Sequence, residues 1–143
     1  MDLTILDTNK TPLCVLDVYN SFIWTDRYSK YGDFELHASM SEDLLQYLKQ
    51  DYYITNANSE HVMIIEKLLI NSDTENGNTI TVSGRSLESL LERRIVWKRT
   101  TLSGNLQNSI KKLLTENVIS PKDSNRKIED FIFEESTDSA ITE

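Results

Sequence analysis

Apolar and polar positions alternate from the start of the chain. "LTILD" (3–7) and "LCVLDVY" (13–19) each repeat with a period of two, and "TNKTP" between them supplies Asn9, Lys10 and Pro12, residues suited to a tight turn. The pattern predicts a hairpin. "SFIWTDRYSKYGDFELHAS" (21–39) continues with aromatic and β-branched residues around Tyr31-Gly32-Asp33, a second turn signal, and puts Phe34, Leu36 and Ala38 on one strand face. A second hairpin follows. Ser41 then caps a short helix, with Glu42 and Asp43 in its first turn and Leu44, Leu45 and Leu48 along one side. "DYYITNA" and "EHVMIIEKLLI" read as strands, and the second is apolar on both alternating faces, the mark of a strand at a sheet's centre. "NSDTENGN", ending in Asn76-Gly77, is a polar loop that leads into the strand "TITVSG".

Past residue 80 the period changes. In "TVSGRSLESLLERRIVW" (81–97) a strand ending at Ser83-Gly84 gives way to a helix capped by Ser86, in which Leu87, Leu90 and Leu91 share a face while Glu88 and the pair Arg93 and Arg94 match the helix dipole. "RIVWKRT" returns to an extended pattern. Leu106, Ile110, Leu113 and Leu114 mark an amphipathic helix over about 104–117, stopped before Pro121. "KIEDFIFEES" closes with an imperfectly alternating strand through Ile128, Phe131 and Phe133, and the polar "TDSAITE" reads as the cut end of a longer chain. No internal repeat, low-complexity segment or linker interrupts this order.

A chain of 143 residues fits one domain, burying roughly two-thirds of its unfolded surface, with a sub-boundary near 84–100. The apolar fraction of 38% is low for a globular domain but too high for wholesale disorder. Charge changes the picture more. Residues 1–84 hold 13 Asp/Glu and 5 Lys/Arg, residues 85–127 hold 4 and 10, and residues 128–143 hold 6 and none, giving −8, +6 and −6. Such a layout can serve association between complementary surfaces of copies, the alternative being solvated faces that happen to cluster. Trp97 lies among the basic residues and could stack on a base, yet the net charge of −8 and the acidic flanks oppose nucleic acid. Cys14 stands alone, so neither an internal disulfide nor a cysteine metal cluster is available. No apolar run approaches the ~20 residues that span a bilayer, and "MDLTILD" lacks a basic leader, so expression in the cytosol without membrane insertion is expected.

Candidate chemistry is sparse. His37 and His61 lie in predicted strands without ligand spacing, and adjacent carboxylates such as Glu134-Glu135 point apart in a strand. No nucleophile elbow occurs, and Cys14 sits in an apolar strand. No catalytic, cofactor or metal residue is therefore assigned. The sharpest local candidate is an anion site at Gly84, Arg85 and Ser86, made of backbone N–H groups and a guanidinium, but the turn lacks the glycines and lysine of a P-loop or dinucleotide site. Its structural alternative is a tight strand-to-helix turn at Gly84 with Arg85 paired to a carboxylate.

"VSGRSLESLLERRIVW", the following "TTLSGNLQNSIKKLLTENVISP", and the upstream "SFIWTDRYSKYGDFEL" and "HVMIIEKLLI" together resemble the N-terminal part of siphovirus and prophage tail proteins, the hub or tail-tip proteins of the Gp37-like siphovirus family. The resemblance covers nearly the whole chain in order. It implies an α+β, predominantly β fold, with β-barrel-like or mixed antiparallel sheets and two to three short helices. It implies a virion structural part without catalysis or cofactor, an N-terminal piece of a longer chain, assembled in the host cytoplasm and carried in the mature tail. The implied partners are further copies, as a trimer, and other tail proteins such as the distal tail protein. Under this reading Gly84, Ser86, Leu87, Leu90 and Leu91 shape and seat the helix, and Arg85, Arg93, Arg94 and Trp97 serve ion pairs or subunit contacts. A receptor- or carbohydrate-binding module, with Trp24, Tyr28 and Tyr31 in one groove, and a part of a cell-wall hydrolase remain the alternatives.

Overall fold

The structure, a computed structural model, describes residues 2–73 and 77–138. The expected turn residue Asn76 and the last part of "TDSAITE", from 139, lie outside the described residues. The chain divides into two compact units, Met1–Ser89 and Leu90–Glu143.

The first unit is an antiparallel sheet of seven strands, β1 (Leu3–Leu6), β2 (Pro12–Leu16), β3 (Ser21–Thr25), β4 (Asp33–Ser39), β5 (Tyr53–Asn56), β6 (Val62–Asp73) and β7 (Gly77–Ser86). Their order across the sheet is β2-β1-β5-β6-β7-β4-β3. The sheet is open, with β2 and β3 at its edges, so the barrel-like closure implied by the resemblance is corrected to an open sheet. Two local hairpins form where the turn residues predicted them. Asp7 accepts from the N–H groups of Asn9 and Thr11 at 2.8 Å each, which lets Lys10 take a left-handed φ of 65° between β1 and β2. β6 lies at the centre of the order, but only Met63, Ile64 and Ile65 are buried on both faces, and Leu69 and Ile70 further along are exposed.

Period-two alternation builds the core. Ile5 stands opposite Ile54 and Ile54 opposite Met63, while Leu36 faces Val82 and Ala38 faces Ile80, all fully or almost fully buried on one side of the sheet. Helix α1 (Glu42–Tyr47) covers this side through Leu44, Leu45 and Leu48. Its start is fixed as expected: the Ser41 hydroxyl accepts the Leu44 N–H at 3.2 Å. Phe22, Trp24 and Phe34 extend the core as a row of tilted rings 5.8–6.5 Å apart.

The second unit contains α2 (Leu106–Leu114), capped by Asn105, whose side chain accepts from Asn108 N–H at 2.9 Å. The helix is shorter than the 104–117 expected because its last turn widens into a π-helical turn, Thr115–Ile119, where Val118 and Asn117 are buried. Two further expectations fail here. Neither "RIVWKRT" nor "KIEDFIFEES" forms a strand among the described residues. Ile128, Phe131 and Phe133 are half-buried in alternation with exposed neighbours, but no ladder accompanies them, and side-chain burial without a strand partner leaves an irregular segment.

Candidate functional site

The stretch 81–97 is built differently from its sequence reading. β7 runs on through Gly84 and Arg85 to Ser86, so Gly84 lies inside a strand and turns nothing. It is needed for another reason. Opposite it, β6 carries a bulge: Ile65 pairs with Gly84 and Lys67 with Ser83, leaving Glu66 as the extra residue. The bulge drives the β6 backbone towards β7, and a Cβ at Gly84 would fall on the Ile64 carbonyl, with Ile64 C at 2.8 Å and Phe34 Cε1 at 2.9 Å.

The bulge also presents Glu66 to Arg85. Arg85 Nε and Nη2 reach the two carboxylate oxygens of Glu66 at 2.7 and 2.9 Å, a fork-on-fork pair, and the guanidinium lies 4.9 Å from the Tyr31 ring centroid. Arg27 and Asp33 pair nearby. A shallow depression of about 390 Å³ is lined by Asp33, Glu35 and Glu66 together with Lys67 and Arg85. An arginine committed to a carboxylate and a glycine whose backbone serves the ladder offer no phosphate cradle, so the anion site is not formed at Gly84–Ser86.

Ser86 does not cap an α-helix. Its N–H donates to the Gly32 carbonyl at 3.0 Å and its hydroxyl accepts from the Gly32 N–H at 2.8 Å, tying the β3–β4 turn to the end of β7. Leu87–Arg93 follows as a 3-10 helix. Three residues per turn break the 3.6 spacing on which the leucine face depended: Leu87 and Leu90 are half-buried, Leu91 is exposed, and the buried residue is Ser89. Burial would raise the Glu88 carboxyl, but hydrogen bonds from the Ser86 hydroxyl, its own backbone N–H and His61 outweigh it and hold the group below the usual glutamate range. His61 Nδ1 lies 2.8 Å from Glu88 Oε1.

His37 sits between Glu35 Oε1 at 2.7 Å and Thr81 Oγ1 at 2.9 Å, the order of groups in a hydroxyl–histidine–carboxylate relay. All three stand on paired strands, where backbone N–H groups serve the ladder and leave no oxyanion donors, and His37 lines neither the depression nor the groove described next. Burial pushes the Cys14 thiol up, away from thiolate reactivity. Among the described residues no group of His, Cys, Asp and Glu could hold a metal.

In the second unit Arg94 and Trp97 come together through a residue that the reading of the stretch did not single out. Arg94 Nε donates to the Arg126 carbonyl at 2.7 Å, Arg126 Nη2 donates to the Ile95 carbonyl at 2.6 Å, and the Arg126 guanidinium carbon sits 4.1 Å from the centre of a Trp97 ring. Arg93 is exposed. Trp97, Lys98, Thr100, the turn after α2 and Arg126 line a groove of about 560 Å³. Glu116 accepts from the Thr100 hydroxyl at 3.0 Å, and Asp123 accepts from the Asn125 N–H at 3.1 Å. The signal that could have found Glu66 was the charged pair Glu66-Lys67 breaking an apolar strand; nothing local to Trp97 pointed to Arg126.

The model of the family described as Siphovirus ReqiPepy6 Gp37-like protein matches residues 2–142. No curated protein matches the chain. Among solved structures, the crystal structure of prophage tail protein gp18 from Listeria monocytogenes EGD-e is similar, with a TM-score of 0.58 at 12% sequence identity. The likeness covers 87% of this chain and 38% of that one, and at this identity it is one of fold.

Proposed function

The chain belongs to the Siphovirus ReqiPepy6 Gp37-like protein family, and on that premise we propose that it is a structural component of a phage or prophage tail, seated at the tail tip as part of the hub. The match of the family over residues 2–142 is the observation that carries the reading. The fold likeness to a prophage tail protein supports it, and so does a surface whose ion pairs and arginine contacts serve packing. In this role the chain performs no reaction. It links the tail tube or the distal tail protein to fibres or lytic modules, assembles in the host cytoplasm and remains in the mature virion. It meets further copies of itself, as a trimer in the full-length protein, through its charge layout of −8, +6 and −6 along the sequence.

Antibody against the 143-residue chain, applied to purified virions in the electron microscope, should mark the distal end of the tail. Label along the tube, at the head, or nowhere on the particle would refute the placement. Light scattering across a salt series should show association that weakens as salt rises; a monomer at every salt concentration, in this chain and in the longer protein, would refute the charge-steered contact.

The receptor-binding alternative required Trp24, Tyr28 and Tyr31 in one groove. Trp24 packs against Phe22 and Phe34 and Tyr31 lies under Arg85, while Tyr28 is fully exposed. Trp97 lines the groove of the second unit.

A further inference from the structure

We propose that the groove of the second unit is a binding site for an anionic saccharide, a sugar bearing a phosphate or a carboxylate, with a ring on the open part of Trp97 and the anion between Lys98 and Lys122. The inference rests on the groove alone and not on the placement of the chain in a tail.

Three observations carry it. The groove holds about 560 Å³, inside the roughly 300–1,000 Å³ of small-ligand clefts. Trp97 is 62% exposed, yet its indole is held in place: Arg126 covers one side at 4.1 Å, and Arg126 is fixed in turn by its bonds to Ile95 and Arg94. A large aromatic kept in water and immobilised loses little freedom when a ligand lands on it. The electron-rich indole attracts the C–H groups along the apolar face of a pyranose ring.

The lining charges decide the sign of the ligand. Glu116 is engaged by Thr100 and Asp123 by the Asn125 N–H, whereas the Lys98 and Lys122 ammonium groups make no hydrogen bond or ion pair among the described residues. With Arg126 the lining carries three cations against two carboxylates, each of which already accepts a hydrogen bond, and the excess of one positive charge favours an anion. Ser120 adds a hydroxyl, suited to the O–H groups of a sugar.

Other anions fit less well. An acidic peptide binding by strand addition needs a sheet edge, and residues 90–138 contain no strand. A nucleic-acid strand would carry its repeated charges past the groove to a chain of net charge −8, while a ligand with one anion feels chiefly the local lysines.

The test is a ¹H–¹⁵N NMR titration of the labelled 143-residue chain with glucose 6-phosphate, glucuronate, glucose, inorganic phosphate, an acidic peptide and a short thymidine oligonucleotide. Glucose 6-phosphate or glucuronate should shift the Trp97 indole N–H and the Lys98 and Lys122 amides saturably, about tenfold more tightly than glucose or phosphate alone. Lys98→Gln and Lys122→Gln should each weaken binding by about three- to fivefold with the remaining amide signals unmoved, which separates lost contact from lost fold. Trp97→Tyr should retain part of the affinity that Trp97→Ala loses. The proposal is overturned by phosphate binding as tightly as the sugar phosphate, by glucose binding as tightly as the charged sugars, by the oligonucleotide or peptide binding more tightly than either, or by no Trp97 shift with any sugar at about 10 mM.

Discussion

Gly84→Ala should destabilise the first unit more than any other one-methyl addition in the sheet. The added Cβ would fall within 3.0 Å of three atoms, two of them the carbonyl carbon and oxygen of Ile64, and backbone cannot swing aside as a flexible side chain can. Relief requires β6 and β7 to part at the bulge. Overpacking of this kind costs about 1–3 kcal/mol, and parting the strands gives up about two ladder hydrogen bonds at ~1 kcal/mol each. The loss of unfolded-state freedom on replacing glycine offsets about 0.5–1 kcal/mol of that. The net expectation is a loss of about 3 kcal/mol, a large share of the ~5–15 kcal/mol that stabilises a domain. Urea unfolding followed by circular dichroism measures it. Ser83→Ala, one residue away and free of the contact, is the control, expected to stay within about 0.5 kcal/mol. If Gly84→Ala unfolds within about 0.5 kcal/mol of the parent, with an unchanged slope against urea, the close approach of β6 to β7 is wrong.

Ser86→Ala removes the buried acceptor of the Gly32 N–H and should cost about 1–3 kcal/mol in the same assay, with Ser86→Thr losing less if the hydroxyl can be placed. Arg85→Lys keeps the charge but loses the fork on Glu66 and the cover over Tyr31; a loss of about 1–2 kcal/mol is expected, and none would show the pair to be idle. Glu88 is held below the usual glutamate range in the folded state, so it contributes stability above its unfolded pKa that is lost as pH falls through the lower, folded value. Melting temperature should therefore fall less steeply with acid in Glu88→Gln than in the parent below about pH 4.5; parallel curves would remove Glu88 from the acid response.

Sequence reading found what lies within one pattern window. The hairpins, the Ser41 cap and the buried alternation of Phe34, Leu36 and Ala38 were legible because turn chemistry and strand period are local. The pairing of β1 with β5 and of β4 with β7 was not, since alternation states which face is buried and not which strand lies alongside. The same gap explains the site. Ser86 looks like a helix cap in isolation, but the Gly32 turn, 54 residues earlier, claims its hydroxyl. Arg85 called for a carboxylate, and the identity of Glu66 depended on a bulge. Ile128, Phe131 and Phe133 carry an imperfect strand alternation in a segment that has no strand partner among the described residues. Trp97 is a lone aromatic among basic residues in the sequence, and its setting comes from Arg126 and a turn some twenty to thirty residues on, which no local signal announces.

The strand order also sets a timetable. β1–β2, β3–β4 and β6–β7 are each closed by short connections, whereas β1 must find β5 and β4 must find β7 across about forty to fifty residues. Local pairs close first and distant ones wait on the entropy of the intervening chain. On the ribosome, β1–β2 therefore has its partner β5 once the first sixty residues have emerged, whereas the β3–β4 hairpin has no seam to join until β7 has left the tunnel. β7 is the strand that seats β3 and β4 on the rest of the sheet, so a pause or a break before residue 86 would strand an aggregation-prone half-sheet, while one just after it would release a complete one.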